Sequence, residues 1–190
     1  MELKRKIFAD LEKICPPETI LGTNTSCLSI MDIATATSRP DKVIGIHFFN
    51  PVPMMKLLEI VKTIATSDET VAAVRKFGES TGKTVVMAQD APGFIVNRLM
   101  VPFLLNAIRM LESGVASRED IDNGVNLGLN HPMGPLTLSD LIGLDTLIFI
   151  ANATYEETRD PQWVAPILLK KMVAAGWLGR KTGKGFYDYK

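Results

Sequence analysis

Two residues suited to moving a proton, His47 and Glu59, sit on consecutive apolar runs of this chain. The first run, Val43 to Ile46, delivers the imidazole onto a turn set by Pro51 and Pro53, in His47-Phe48-Phe49-Asn50-Pro51. The second, Leu57-Leu58-Glu59-Ile60-Val61, carries a single acid among aliphatics. An unpaired carboxylate is costly to bury, so Glu59 needs a partner, and an imidazole ending the preceding strand can supply it. Such a pair holds the ring in one tautomer, which suits a general base. A satisfied buried histidine is the plainer reading of the same spacing.

Other polar residues stand at element ends. Ser26 closes Thr23-Asn24-Thr25-Ser26 after the short run Ile20-Leu21, where it either faces a site or caps the helix that follows. Asn97 lies in Ala91-Pro92-Gly93-Phe94-Ile95-Val96-Asn97-Arg98, at the opening of a long helical segment. A lone Asn there would ordinarily face solvent, but Ile95, Val96, Leu99 and Met100 around it argue for burial. Cys27 reads as a small core residue, and His131, in His131-Pro132-Met133-Gly134-Pro135, as part of a turn. Ser80-Thr81-Gly82-Lys83 and Lys181-Thr182-Gly183 fit two short acyl-transferase motifs. The third motif of that set is absent, and Ser80 ends its helix where that chemistry wants a serine opening one.

The elements that must hold these residues fall into two halves. Leu3, Ile7, Phe8 and Leu11 have helical spacing, stopped by Pro16-Pro17. Thr19–Gly22, Val43–Phe48, Leu57–Val61 and Thr84–Ala88 read as strands, with helices at Ile30–Thr37 and Asp68–Thr81 between them. Near-continuous aliphatic strands alternating with helices predict a doubly wound parallel sheet. From Pro92 the pattern turns helical: Phe94–Ser113, Ser117–Leu127, Pro135–Tyr155 and Trp163–Ala175, with one short strand at Phe186–Tyr189. The expected domains are therefore an α/β segment at 1–89 and an all-α domain at 90–190.

With 190 residues, 46% hydrophobic, and no net charge, the chain offers no broad basic surface for nucleic acid. Lys4-Arg5-Lys6 reads as a solvated helix face. Two cysteines without metal-ligand spacing imply neither a disulfide framework nor a metal site, and make a reducing cytoplasm the default. No apolar stretch reaches the ~20 residues that span a membrane.

The segments HFFNPVPMMKLLEIV, Thr23–Ser26, Ala91–Arg98 and Gly179-Arg180-Lys181-Thr182-Gly183-Lys184-Gly185-Phe186-Tyr187 occur in the order and spacing of one family. The chain resembles the L-3-hydroxyacyl-CoA dehydrogenases, most of all the short bacterial 3-hydroxybutyryl-CoA branch. The resemblance implies NAD-dependent oxidation of an (S)-3-hydroxyacyl-CoA to the 3-oxoacyl-CoA. His47 would take the 3-hydroxyl proton as hydride leaves C3 for the nicotinamide, with Glu59 as its carboxylate partner. Ser26 and Asn97 would hydrogen-bond the substrate near the reacting carbon and thioester. Asn50, Lys4 and Lys181, with Ser26, would lie near the dinucleotide; without the resemblance both lysines read as surface residues. It further implies that the sheet is the second half of a Rossmann-like one, and that a homodimer forms through the helical domain.

The family pattern opens with a strand, a glycine-rich turn and a helix that hold the pyrophosphate. No G-x-G-x-x-G follows a strand here. The expectation is that this nucleotide-binding half is missing, leaving the strand near Thr19–Gly22 with an unpaired edge and the fragment weak or inactive alone. The alternatives are a non-catalytic dimerisation module and a degenerate remnant.

Overall fold

Helical spacing near the N-terminus is realised as α1 (Glu2–Ile14), which buries Phe8 and ends just ahead of the proline pair. The structure, a computed structural model, describes residues 1–189 and divides into two units, Met1–Ile95 and the remainder from Val96. In the first unit the strands are β1 (Leu21–Thr23), β2 (Val43–Phe48), β3 (Leu57–Lys62) and β4 (Thr84–Gln89), in the order β1-β2-β3-β4. Between β1 and β2 lies α2 (Ile30–Ala34), and between β3 and β4 lies α3 (Asp68–Ser80). The helix expected to reach Thr37 thus stops early, and Thr37 instead folds back to bond the Ala34 carbonyl through both its N–H and its hydroxyl.

The sheet is mostly parallel, as expected: β1 pairs with β2, and β3 with β4, in that sense. The central pair β2–β3 is antiparallel. Its connection, residues 49–56, is too short for the crossover of a dozen or more residues that a parallel pair requires. Both faces are covered. Val43 and Val61 pack with Phe8, Ile30, Ile33 and Phe94 on one side, while Ile44, Leu58 and Ile60 pack with Val74 on the other. Gly45 makes the first arrangement close: a Cβ there would stand 2.3 Å from Ile30 Cδ1, so α2 can seat on the sheet only over a residue without a side chain.

Lys4 and Arg5 do not form a merely solvated face. Lys4 Nζ donates to Thr23 Oγ1 at 3.4 Å, and the Arg5 guanidinium donates to the Asp32 carbonyl and, at 2.8 Å, to Thr35 Oγ1. The last carbonyls of a helix have no intrahelical donors, and a helix as short as α2 leaves them for Arg5 to satisfy.

The second unit is helical: α4 (Val96–Glu112), α5 (Arg118–Gly128), α6 (Pro135–Ile142), α7 (Leu144–Thr158) and α8 (Ile167–Ala174). Ser117 caps α5 by accepting from the Asp120 N–H. The segment expected as one helix from Pro135 to Tyr155 is bent by 92° at Gly143, whose φ of 99° lies outside the helical region. α4 is apolar on several sides because it packs on α5, α6, α7 and α8 within its own unit. Its Val101, Leu104, Leu105 and Ile108 are fully buried. Among the described residues no strand forms at Phe186–Tyr189, only isolated bridges at Gly179–Lys184 and Lys184–Asp188. The N–H groups of Phe186 and Tyr187 are taken instead by the buried carboxylate of Asp140, at 2.9 and 3.0 Å.

Candidate active site

Antiparallel pairing sets His47 directly opposite Glu59 in the β2–β3 register. Cross-strand partners share a sheet face, so the two side chains meet: His47 Nδ1 lies 2.5 Å from Glu59 Oε2. Glu59 is fully buried and His47 is 5% exposed. The second carboxylate oxygen, Oε1, accepts from the Ile95 N–H at 3.2 Å. The buried charge is therefore satisfied on both oxygens, which is the condition for tolerating it. Phe49 and Phe94 pack on the imidazole, with ring centroids 4.6 and 5.5 Å away. Glu59 and two aromatic rings thus fix the orientation of the histidine, and Nε2 is the ring nitrogen that Glu59 does not engage.

Ser26 is half-buried in the loop after β1. It is not the cap of α2: Ser29 takes that role, accepting from the Asp32 N–H at 3.2 Å, while Thr25 Oγ1 accepts from Leu28 N–H at 3.1 Å. The loop is tied to the strand bearing His47, because Asn24 Oδ1 accepts from the Phe48 N–H at 3.0 Å. It is tied on its other side by Asp90, whose carboxylate accepts from the N–H groups of Ile30 and Met31 at 3.0 and 2.7 Å. Asn24, Asp90, Phe49 and Phe94 carry no role in the sequence reading. The available signal for Asn24 was an amide side chain at the carboxyl end of an apolar strand. For the two phenylalanines nothing in the sequence distinguishes a ring against His47 from a core ring.

Asn97 lies in the first turn of α4 and is buried, against the solvent-facing reading. Asn50, beyond the end of β2, is exposed. Lys181, in the second unit, is held by its own partner: Nζ donates to both carboxylate oxygens of Asp145, at 2.5 and 2.6 Å. That ammonium holds the Asp145 carboxyl below its usual range. Ser80 ends α3 and donates to the Phe77 carbonyl at 2.7 Å, which leaves no basis for an acyl-transferase serine. Cys27 is buried, and His131 is exposed with its ring 5.8 Å from that of Phe103. Among the described residues no group of His, Cys, Asp and Glu could hold a metal ion.

A mostly parallel sheet with a paired imidazole and carboxylate at a strand end, followed by a helical domain, defines a two-part α/β and all-α enzyme architecture. Residues 1–91 match the 3-hydroxyacyl-CoA dehydrogenase NAD-binding domain, and residues 93–189 match the C-terminal domain of the same enzymes. The chain is 51% identical to a 3-hydroxybutyryl-CoA dehydrogenase of Clostridioides difficile, over 100% of this chain and 67% of that protein. It is 50% identical to one of Mycobacterium tuberculosis, over 98% of this chain and 66% of that protein. The crystal structure of (S)-3-hydroxybutyryl-CoA dehydrogenase from Ralstonia eutropha superposes with a TM-score of 0.97 at 46% identity, covering 100% of this chain and 67% of that one. The chain belongs to the 3-hydroxyacyl-CoA dehydrogenase family.

The first match corrects one expectation. The nucleotide-binding part of the family pattern is not missing, since residues 1–91 match its NAD-binding domain. The expectation rested on the opening strand, glycine-rich turn and helix of the family pattern; the residues that match the domain run from α1 through β4. The chain spans about two thirds of the length of the curated relatives it matches.

Proposed function

We propose that this protein oxidises short-chain (S)-3-hydroxyacyl-CoA thioesters to 3-oxoacyl-CoA with NAD, 3-hydroxybutyryl-CoA and acetoacetyl-CoA being the substrate pair. The observation that carries the reading is the buried His47–Glu59 pair, closed at 2.5 Å and oriented by two aromatic rings. An alcohol becoming a carbonyl gives up one proton and one hydride. His47 Nε2 takes the hydroxyl proton, and Glu59, on Nδ1, holds the ring in the tautomer that leaves Nε2 able to accept it. In the reverse direction the same nitrogen returns the proton. Ser26 and Asn97 orient the substrate near its reacting carbon and thioester.

The residues at the carboxyl ends of β1 and β2 fit a nicotinamide nucleotide on donor chemistry: Lys4 Nζ beside Thr23 Oγ1, the Ser26 hydroxyl, and the exposed amide of Asn50. Ligands of open α/β sheets bind outside the carboxyl ends of the strands. Lys4, Ser26 and Asn50 would hold the cofactor there; Lys181, tied to Asp145, is the weaker candidate. NAD, when bound, accepts the hydride from C3. The protein works as a homodimer in the cytoplasm. Exposed apolar side chains of the helical unit, Val115, Leu127, Leu129 and Phe149, support self-association. NADH-dependent reduction of acetoacetyl-CoA, followed by absorbance, tests the activity: turnover that drops at least about 100-fold in His47→Gln is expected, and absence of turnover in the wild type rejects the reading.

A further inference from the structure

The segment joining β2 to β3, residues 49–56, begins with Phe49 against the His47 ring and continues through Asn50. Pro51 and Pro53 remove two backbone donors from it. Its internal bonds all fall on one carbonyl, with the Met54 and Met55 N–H groups both donating to the Pro51 oxygen, at 3.0 and 3.1 Å. The segment therefore has more acceptors than it can satisfy itself. A side chain from another part of the sheet supplies what is lacking. Lys83, the residue immediately before β4, reaches across and donates through Nζ to the Val52 and Met55 carbonyls, both at 2.7 Å. The same ammonium stands 5.7 Å from the ring centroid of Phe48, the residue that follows His47, within the range of a cation–π contact. Among the described residues no carboxylate forms an ion pair with it.

One ammonium thus grips the far end of the segment and the ring at its near end. We propose that Lys83 is a positioning residue for the reaction at His47: it holds segment 49–56 in the pose that packs Phe49 on the imidazole and presents Asn50 to the cofactor. The proposal rests on the functional reading above for its kinetic consequence, but not for the clamp itself. Glu59 fixes the imidazole from one side; Lys83 fixes, through the loop, what stands on the other. Charge-assisted bonds to carbonyls are among the stronger hydrogen bonds, and misplacement of a catalytic neighbour by about 1 Å can cost up to ~100-fold in rate.

The test compares wild type with Lys83→Met, which keeps the apolar stem and removes the donors, and with Lys83→Arg, which restores them. Backbone amide hydrogen exchange over residues 49–56 is expected to speed up about tenfold or more in Lys83→Met. Exchange over the β2 and β3 ladders should stay as in wild type, and Lys83→Arg should recover most of the protection. In acetoacetyl-CoA reduction, kcat is expected to fall about tenfold in Lys83→Met, with the KM for the thioester within about threefold of wild type, and Arg to rescue it. Unchanged exchange in the segment overturns the clamp. Faster exchange with undiminished kcat overturns the positioning role. A wild-type protein without turnover counts against the proposed function alone, and the exchange measurement still decides whether Lys83 holds the loop.

Discussion

His47 and Glu59 act as a unit, and their variants should fail in different ways. His47→Gln removes the proposed proton acceptor while leaving a side chain that can still bond Glu59. Its kcat is expected to fall by about 10²–10⁴-fold, the usual contribution of a general base, with little change in KM. An equal rise in KM would argue for a binding role instead. Glu59→Gln keeps the volume but loses the charge that fixes the imidazole tautomer. It should lower kcat without abolishing binding of the thioester. Removing the carboxylate outright, in Glu59→Ala, also empties a fully buried position and leaves both the ring nitrogen and the Ile95 N–H without their acceptor. Breaking a buried pair this way costs about 3–5 kcal/mol, so denaturant melts should separate the two Glu59 variants clearly.

At the scale of elements, the terminal segment after α8 is a clasp built on two buried aspartates. Asp140 accepts from the Phe186 and Tyr187 N–H groups and, at 2.9 Å, from the Tyr189 hydroxyl; Asp122 accepts from Leu136, Thr137 and the Tyr187 hydroxyl. A Cβ on Gly185 would stand 2.0 Å from Asp140 Oδ1. Gly185→Ala must therefore push the segment off its anchor, and the thermal midpoint should drop by the equivalent of about 1–3 kcal/mol; an unchanged midpoint would show that the clasp contributes nothing. Burial outweighs these bonds for Asp140 and pushes its carboxyl up from the ordinary value. Burial, then the bond to Asp140, pushes the Tyr189 hydroxyl up from 10.0 to about 12. Folding thus favours the protonated phenol. Its contribution is intact below about pH 10 and is lost as pH rises from 10 towards 12. Stability measured by urea melts should decline across that window, and Tyr189→Phe should lessen the decline, the rest coming from Tyr187, whose hydroxyl burial and the Asp122 carboxylate also push up.

For the whole molecule, the proposed homodimer would form through the helical unit. Apolarity of α4 does not by itself argue for a partner, since its neighbours in the same unit cover it. Other apolar side chains of that unit stay exposed: Val115 at 66%, Leu127 at 85%, Leu129 at 61% and Phe149 at 62%. Large apolar side chains left this exposed are candidates for a contact face. Light scattering at micromolar concentration is expected to give the mass of a dimer. A clean monomer rejects the homodimer, and Leu127→Lys should move a true dimer towards monomer.

Most of the elements, and the pair of residues on which the proposed chemistry rests, were legible in the sequence. Aliphatic runs at Val43–Phe48 and Leu57–Val61, glycine and proline punctuation, and the acid inside one run made the strands and the His47–Glu59 pairing legible, because these signals are local: periodicity, turn residues and the cost of an unpaired buried carboxylate. Where the structure differs from the sequence pattern, the deciding contacts are distant. The antiparallel sense of β2–β3 follows from loop length acting through the sheet, and it is what puts Glu59 opposite His47. The right-angle break at Gly143 needed a backbone angle that no periodicity reveals. The terminal segment forms no ladder because Asp140, more than forty residues earlier, captures its N–H groups. Asn24, Asp90 and Lys83 gained their partners the same way, across the sheet end. A polar side chain announces in sequence only that it can donate or accept; which backbone groups are left wanting a partner, and lie within its reach, is fixed when the strands come together.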